Sequence, residues 1–143
     1  MASREEIVIV PIFDGRHFGL QKRDDDAFVG GGMVGAFGGK LENSETAAEA
    51  ARRELSEEAP SLLPGGHLIS LGEVSGKALR EANISATRAY VFWLLVDRAV
   101  RSATHATEGL LVWHTLPEIY SMPPDKLMPA TGAYFSSLRE GIN

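Results

Sequence analysis

The chain contains no cysteine. Disulfides, thiolate metal sites and cysteine nucleophiles are all excluded. It also lacks a long hydrophobic run: nothing approaches the roughly 18 apolar residues of a membrane span, and no membrane partner is expected. Positive charge is in short supply. Lys and Arg number 14 against 19 Asp and Glu, a formal net charge of −5, whereas a binder of duplex nucleic acid usually presents a basic face, so none is expected as a partner. A small phosphate-bearing substrate stays open, because a bound metal supplies positive charge locally. The start, MASREEIVIVPIF, is not the basic segment with a longer apolar stretch that marks a secretory signal. A cytoplasmic location is the default expectation. No internal repeat, low-complexity tract or interdomain linker is visible.

What is there fits one domain spanning all 143 residues, with 44% hydrophobic and 23% charged residues, ordinary values for a globular protein. A chain of this size buries roughly two-thirds of its unfolded surface. Oligomeric state is open, a homodimer included. Ile7 to Phe13 is β-branched and apolar, as in a buried strand. Asp14-Gly15 signals a turn, with a returning strand from Phe18 to Lys22. Asp24 to Gly32 is expected as a loop. Thr46 to Ala59 has helical spacing in Ala47, Ala50, Ala51 and Leu55. Ser44 or Asn43 could cap its start, and Pro60 stops it. Leu68 to Val74 is expected as a strand, Ser75 to Thr87 as a loop, Ala89 to Val96 as a central strand and Leu110 to His114 as another. Leu116 to Tyr120 suits a helical turn, and Pro129 suits the start of a last helix. Strands with helices among them imply an α/β layered domain.

The chemistry concentrates between Gly38 and Ser61. Glu54, Glu57 and Glu58 lie at i, i+3 and i+4, which puts three like charges on one helix face. That is unfavourable without a counterion, and hard oxygen ligands suit Mg²⁺ or Mn²⁺. Arg53 adjoins the cluster, and Glu45 precedes it by eight residues, close enough to bridge loop and helix. An acidic helix face by itself is most often only solvated. The preceding Gly38-Gly39, read as a tight loop feeding the helix directly after apolar Val34 to Phe37, argues otherwise, because it lets the backbone approach a ligand closely.

The segment resembles the Nudix box, G-x5-E-x7-R-E-U-x-E-E-x-G-U, with U a bulky aliphatic. Gly39, Glu45, Arg53, Glu54, Leu55, Glu57 and Glu58 fill seven specified positions at the required spacing. Pro60 and Ser61 stand where the motif has glycine and an aliphatic. Proline cannot adopt the left-handed cap that glycine allows, so the helix exit must differ. The resemblance implies an α/β/α sandwich with a mixed, partly antiparallel sheet and a loop-helix-loop carrying the box. It also implies hydrolysis of a phosphoanhydride in a small nucleotide substrate, with Mg²⁺ (Mn²⁺ as the alternative) held by Glu54, Glu57, Glu58 and the Gly39 carbonyl. Arg53 would orient the glutamates, and Glu45 would brace Arg53.

The general base would be a box glutamate or an acid on a later loop. Glu108 is the candidate for the latter, with an ordinary surface glutamate as the competing reading. Glu42 and His105 are further neighbours of the site. Arg23 and Lys40 are candidate phosphate contacts. Phe37 is a candidate for stacking on a base, as are Phe92, Trp93 and Trp113, although core packing suits most of these rings better. Markers of ADP-ribose, dinucleoside polyphosphate and NADH hydrolases are missing beyond the box. A nucleoside triphosphate, oxidised ones included, is the leading substrate by elimination. ADP-ribose or another nucleoside diphosphate sugar is the alternative, and a non-catalytic nucleotide-sensing module is the rival from another class.

Overall fold

The β-branched run at the start of the chain folds as two strands, because Pro11 has no N–H to give a neighbouring strand. In the computed structural model, which describes residues 5–24, 31–99, 105–106 and 109–141, β1 is Glu6–Val10 and β2 is Ile12–Phe13. Asp14 turns the chain: its Oδ1 accepts from the backbone N–H of Arg16 at 2.9 Å and of His17 at 2.6 Å, a local turn motif typical of Asp. β3 (His17–Arg23) returns. Then follow β4 (Val34–Gly35), β5 (Phe37–Lys40), α1 (Ala47–Glu58), β6 (His67–Glu73), α2 (Gly76–Glu81), β7 (Arg88–Leu95), β8 (His105–Ala106), β9 (Gly109–Thr115), α3 (Leu116–Tyr120) and α4 (Pro129–Arg139).

The nine strands of the described residues form one mixed sheet ordered β5-β1-β7-β2-β3-β9-β8, with β4 on β3 and β6 on β7. β7 runs parallel to both β1 and β2. The opposite edge of that first segment forks. β1 pairs with β5, while β2 pairs with β3, which carries on beside β4. The bend between β4 and β5 falls at Ala36, whose N–H donates to the Oγ1 of buried Thr131 on α4 at 2.8 Å. The fork in the sheet is therefore pinned from the helix layer behind it.

Strand residues alternate between two core clusters, as the two-residue period requires. Val8, Val10, Ile12, Phe37 and Leu94 pack with Ala50, Ala51 and Leu55 of α1 on one face. Ile9, Phe18, Leu20 and Val91 pack with Leu79 of α2, Ile119 of α3 and Phe135 of α4 on the other. This is the α/β/α sandwich expected. No helix of the described residues is long and apolar enough to cross a membrane.

Three local expectations need correction. α1 is capped by Thr46 and not by Ser44 or Asn43. The Thr46 hydroxyl accepts from the Glu49 N–H, and the Glu49 carboxylate accepts from the Thr46 N–H, a reciprocal pair that neither earlier residue has a partner to make. Gly38-Gly39 lies within β5, paired with Ile9 and Val8 of β1, and is not a loop. The stretch from Ser75 to Thr87 contains α2, because the Ser75 side chain caps it and Leu79 anchors it at 3% exposure.

Candidate active site

α1 carries its acids on the side that meets the end of β5. Leu55, Ala50 and Ala51 are fully buried, and this fixes the helix rotation. Arg53 then reaches back across the loop. Its Nε donates to Glu45 Oε2 at 2.8 Å and its Nη2 to Glu45 Oε1 at 3.0 Å, a bidentate pair. Nη2 also donates to the Lys40 carbonyl at 2.9 Å, and Nη1 to Glu54 Oε1 at 3.0 Å. One planar guanidinium thus ties strand end, loop and helix together, which a lysine ammonium has no geometry to do. The Arg53 hydrogen bonds hold the Glu45 carboxyl below the usual carboxylate range, helped by the Glu42 N–H. Glu45 in turn makes Arg53 a still weaker acid than a free guanidinium.

The three box carboxylates share a helix side but go to different partners. Glu54, 14% exposed, contacts Arg53, and its carboxylate occupies the space where a side chain on Gly39 would stand. Glu58 Oε1 accepts from the Gly38 N–H at 3.4 Å. Glu57 is 58% exposed and lies 3.6 Å from Arg53 Nη1. Among the described residues no three acidic or histidine side chains are gathered closely enough to ligate one ion as they stand. The expected convergence is therefore only partial: like charges separate unless a cation joins them, and each here finds a donor instead. The donor set still fits a hard divalent ion, with two carboxylates against the Gly38-Gly39 backbone and a third beside them.

On the far side of β5, a cavity of about 350 Å³ opens in the fork of the sheet. Ile7 and Ile9 of β1, Gln21 and Arg23 of β3, Gly35 to Lys40, Glu58, Ile84 and Met128 to Thr131 line it. Gly38 and Gly39 thus border both the acids and the cavity. Arg23 and Lys40 are in the lining, with Lys40 Nζ 3.1 Å from Glu5 Oε1. Phe37 is not available for stacking: its side chain is 1% exposed in the core beneath α1. Trp93 is also a core ring, packed against Phe13 with the ring planes 51° apart and donating from Nε1 to the Tyr134 hydroxyl at 3.0 Å. Phe92 is buried, and Trp113 lies against Gly19. Glu108 lies outside the described residues, as does the side chain of His105. Sequence reasoning missed Gln21 and Thr131, both buried polar residues of this region.

A family model described as NUDIX domain matches residues 3–136. The chain belongs to the Nudix family. It is a hydrolase of that family, whose members act on nucleoside diphosphate derivatives and generally use a divalent metal. Its backbone is similar to a mutT/nudix family protein from Listeria innocua, with TM-score 0.65 and 18% identity over 99% of this chain and 96% of that one. It is similar to a NUDIX hydrolase from Nitrosomonas europaea, with TM-score 0.63 and 18% identity over 99% and 75%. A bifunctional NMN adenylyltransferase/ADP ribose pyrophosphatase from Francisella tularensis, complexed with AMP and Mn ion, gives TM-score 0.58 and 18% identity over 100% and 43%. At such identities the likeness speaks for the fold. A search of the curated proteins finds no match.

The departure at the end of the Nudix box also has a structural form. α1 ends on Ala59 at φ −144°, whose N–H still donates to the Leu55 carbonyl. Pro60 and Ser61 are exposed, and Leu62, 3% exposed, turns back into the core beside α1. The aliphatic anchor that the motif places at position 61 is supplied one residue later.

Proposed function

We propose that this Nudix hydrolase splits a nucleoside triphosphate into the monophosphate and pyrophosphate, with Mg²⁺ held by Glu54, Glu57, Glu58 and the Gly39 carbonyl. The observation that carries the reading is the shared border. Gly38 and Gly39 touch the acids of α1 on one side and line the cavity on the other, so a substrate seated in the cavity brings its phosphates to the acids.

A divalent ion in such a site lowers the pKa of a bound water and neutralises phosphate charge. The chain's own residues do the rest. Arg53 holds Glu54 in place through a guanidinium that Glu45 has already fixed. Arg23 and Lys40 meet the phosphates at the mouth of the cavity. An acid takes the proton of the attacking water, and we assign this to Glu57 or to Glu108. The water oxygen bonds to phosphorus as the bond from that phosphorus to the bridging oxygen breaks, and pyrophosphate leaves with the bridging oxygen.

The test is a phosphate- and pyrophosphate-release assay with Mg²⁺. The panel comprises ordinary and oxidised nucleoside triphosphates, ADP-ribose, dinucleoside polyphosphates and NADH, with wild type beside Glu57→Gln. The expected result is release of pyrophosphate from triphosphates by wild type alone. Preference for ADP-ribose would replace the substrate assigned, and release from no substrate would leave a nucleotide-sensing module.

A further inference from the structure

β3 buries one polar side chain among largely apolar neighbours. Gln21 is 4% exposed, between Leu20 and Lys22. Its register partners are Gly35 on β4 and Leu111 on β9, neither of which carries a polar side chain. Its Nε2 is screened from solvent and meets no hydrogen-bond acceptor among the described residues. Leaving a buried amide donor unpaired is costly, and an apolar side chain of the same length would avoid that cost. Gln21 also lines the cavity in the fork of the sheet. The other polar side chains of that lining are Arg23, Lys40, Glu58 and Thr131, and the Thr131 hydroxyl already accepts from Ala36. The remainder, Ile7, Ile9, Ile84, Met128 and Ala130 among them, is apolar.

An unsatisfied donor in an apolar slot is a site waiting for an acceptor. Phosphate is not the fitting one, because a charged group is held better by the Arg23 and Lys40 cations of the same lining than by a neutral amide. A planar, neutral ring with acceptors on its edge is, and about 350 Å³ accommodates one. We propose that Gln21 is a specificity-determining residue whose Nε2 donates a hydrogen bond to a keto oxygen of the substrate's nucleobase. The proposal rests on the nucleotide-hydrolase reading given above. A base with an amino group at the same edge would set donor against donor and leave both buried and unpaired.

Inosine and adenosine monophosphates test this, because they present a keto and an amino group at the same edge and need no turnover. Binding of each is measured by calorimetry to wild type, Gln21→Met and Gln21→Glu, and each protein is also melted without nucleotide. Wild type is expected to bind the inosine nucleotide at least about tenfold more tightly, the value of one hydrogen bond that is lost and left unpaired. Gln21→Met should level the two affinities while melting at or above the wild-type temperature. Gln21→Glu, an acceptor in place of a donor, should reverse the preference. Three results would overturn the proposal: no discrimination or no binding by wild type, discrimination retained in Gln21→Met, or a melting temperature several degrees lower in Gln21→Met. The release assay separates this from the function itself. A protein that hydrolyses triphosphates without base preference keeps the function and loses Gln21. One that discriminates without releasing phosphate keeps Gln21 and loses the function.

Discussion

Adjacent glycines in β5 should fail in opposite ways when each is given a methyl group. Gly38 has φ +140°, and a Cβ there would run into the Val8 carbonyl, 2.9 Å from its carbon and 3.3 Å from Ile9 Cα. The obstacle is backbone in a paired strand, so β1 and β5 must part or the dihedral must change. An alanine forced to this φ costs about 1–3 kcal/mol, and disturbing a closely paired strand raises the total for Gly38→Ala to about 3 kcal/mol or more. For a chain of this length that lowers the melting temperature by roughly 6–12 °C. Gly39 differs. Its φ is not in the left-handed region, and its Cβ would meet the carboxylate of Glu54, 2.9 Å from Cδ. A side-chain tip can swing away, so Gly39→Ala should cost under about 1 kcal/mol. The swing removes Glu54 from Arg53 and from the Gly39 backbone, and Mg²⁺-dependent turnover should fall at least about tenfold, since an approximately 1 Å misplacement alone is that damaging. Urea unfolding of both variants, with turnover measured beside it, decides. The reasoning is refuted if Gly38→Ala unfolds within about 0.5 kcal/mol of wild type, or if Gly39→Ala loses the fold and not the rate.

The other expected outcomes concern the acids. Glu57→Gln and Glu58→Gln should each cut turnover by several orders of magnitude with the melting temperature nearly unchanged; unchanged rates would remove these residues from the metal site. Glu108→Gln should slow the reaction and remove the acid limb of its pH–rate profile, the limb that a general base sets, while a near-normal rate and profile return it to the surface. The Glu45 carboxyl titrates below its unfolded value, so its contribution to stability is complete above the unfolded pKa and is lost as pH falls through the folded one. Wild type should therefore lose stability below about pH 4.5 more steeply than Glu45→Gln, as read from urea midpoints against pH; parallel curves would show that the brace contributes nothing. Pro60→Gly should leave activity intact, because Leu62 and not residue 61 anchors the helix exit; a severe loss of rate would give the proline a role of its own.

Much of the sandwich was legible because its signals are local. The alanines and Leu55 fix the buried side of α1, and the apolar run of β7 needs cover on both faces. The loop-helix-loop was legible because chemistry demands its spacing: Glu45 and Arg53 are eight residues apart and meet in a bidentate pair. What escaped depends on partners distant in the chain. Nothing in the local pattern around Gly38 shows that Val8 will lie against it. Phe37 is open to reading as a stacking ring as well as a core ring until β5 is placed beneath α1. Thr46, Ser44 and Asn43 are all cap-forming residue types, and only the reciprocal bond between Thr46 and Glu49 separates them.

Gln21 shows a different limit. In sequence it is one polar residue in a strand, and alternation would assign such a residue to solvent. Its neighbours on both sides in the sheet come from positions 35 and 111, so its burial is a product of topology alone. A buried, unpaired amide gives the fold no stability that an apolar side chain would not give better. Arg53 and Thr131 are also polar and enclosed, but each is bonded to the frame: Arg53 to Glu45 and the Lys40 carbonyl, Thr131 to the Ala36 N–H. The polar groups that build this site are therefore satisfied within the chain. Among the described residues that line the cavity, Gln21 is the buried side chain left with an unpaired donor, and recognition of something outside the chain is the role its position leaves to it.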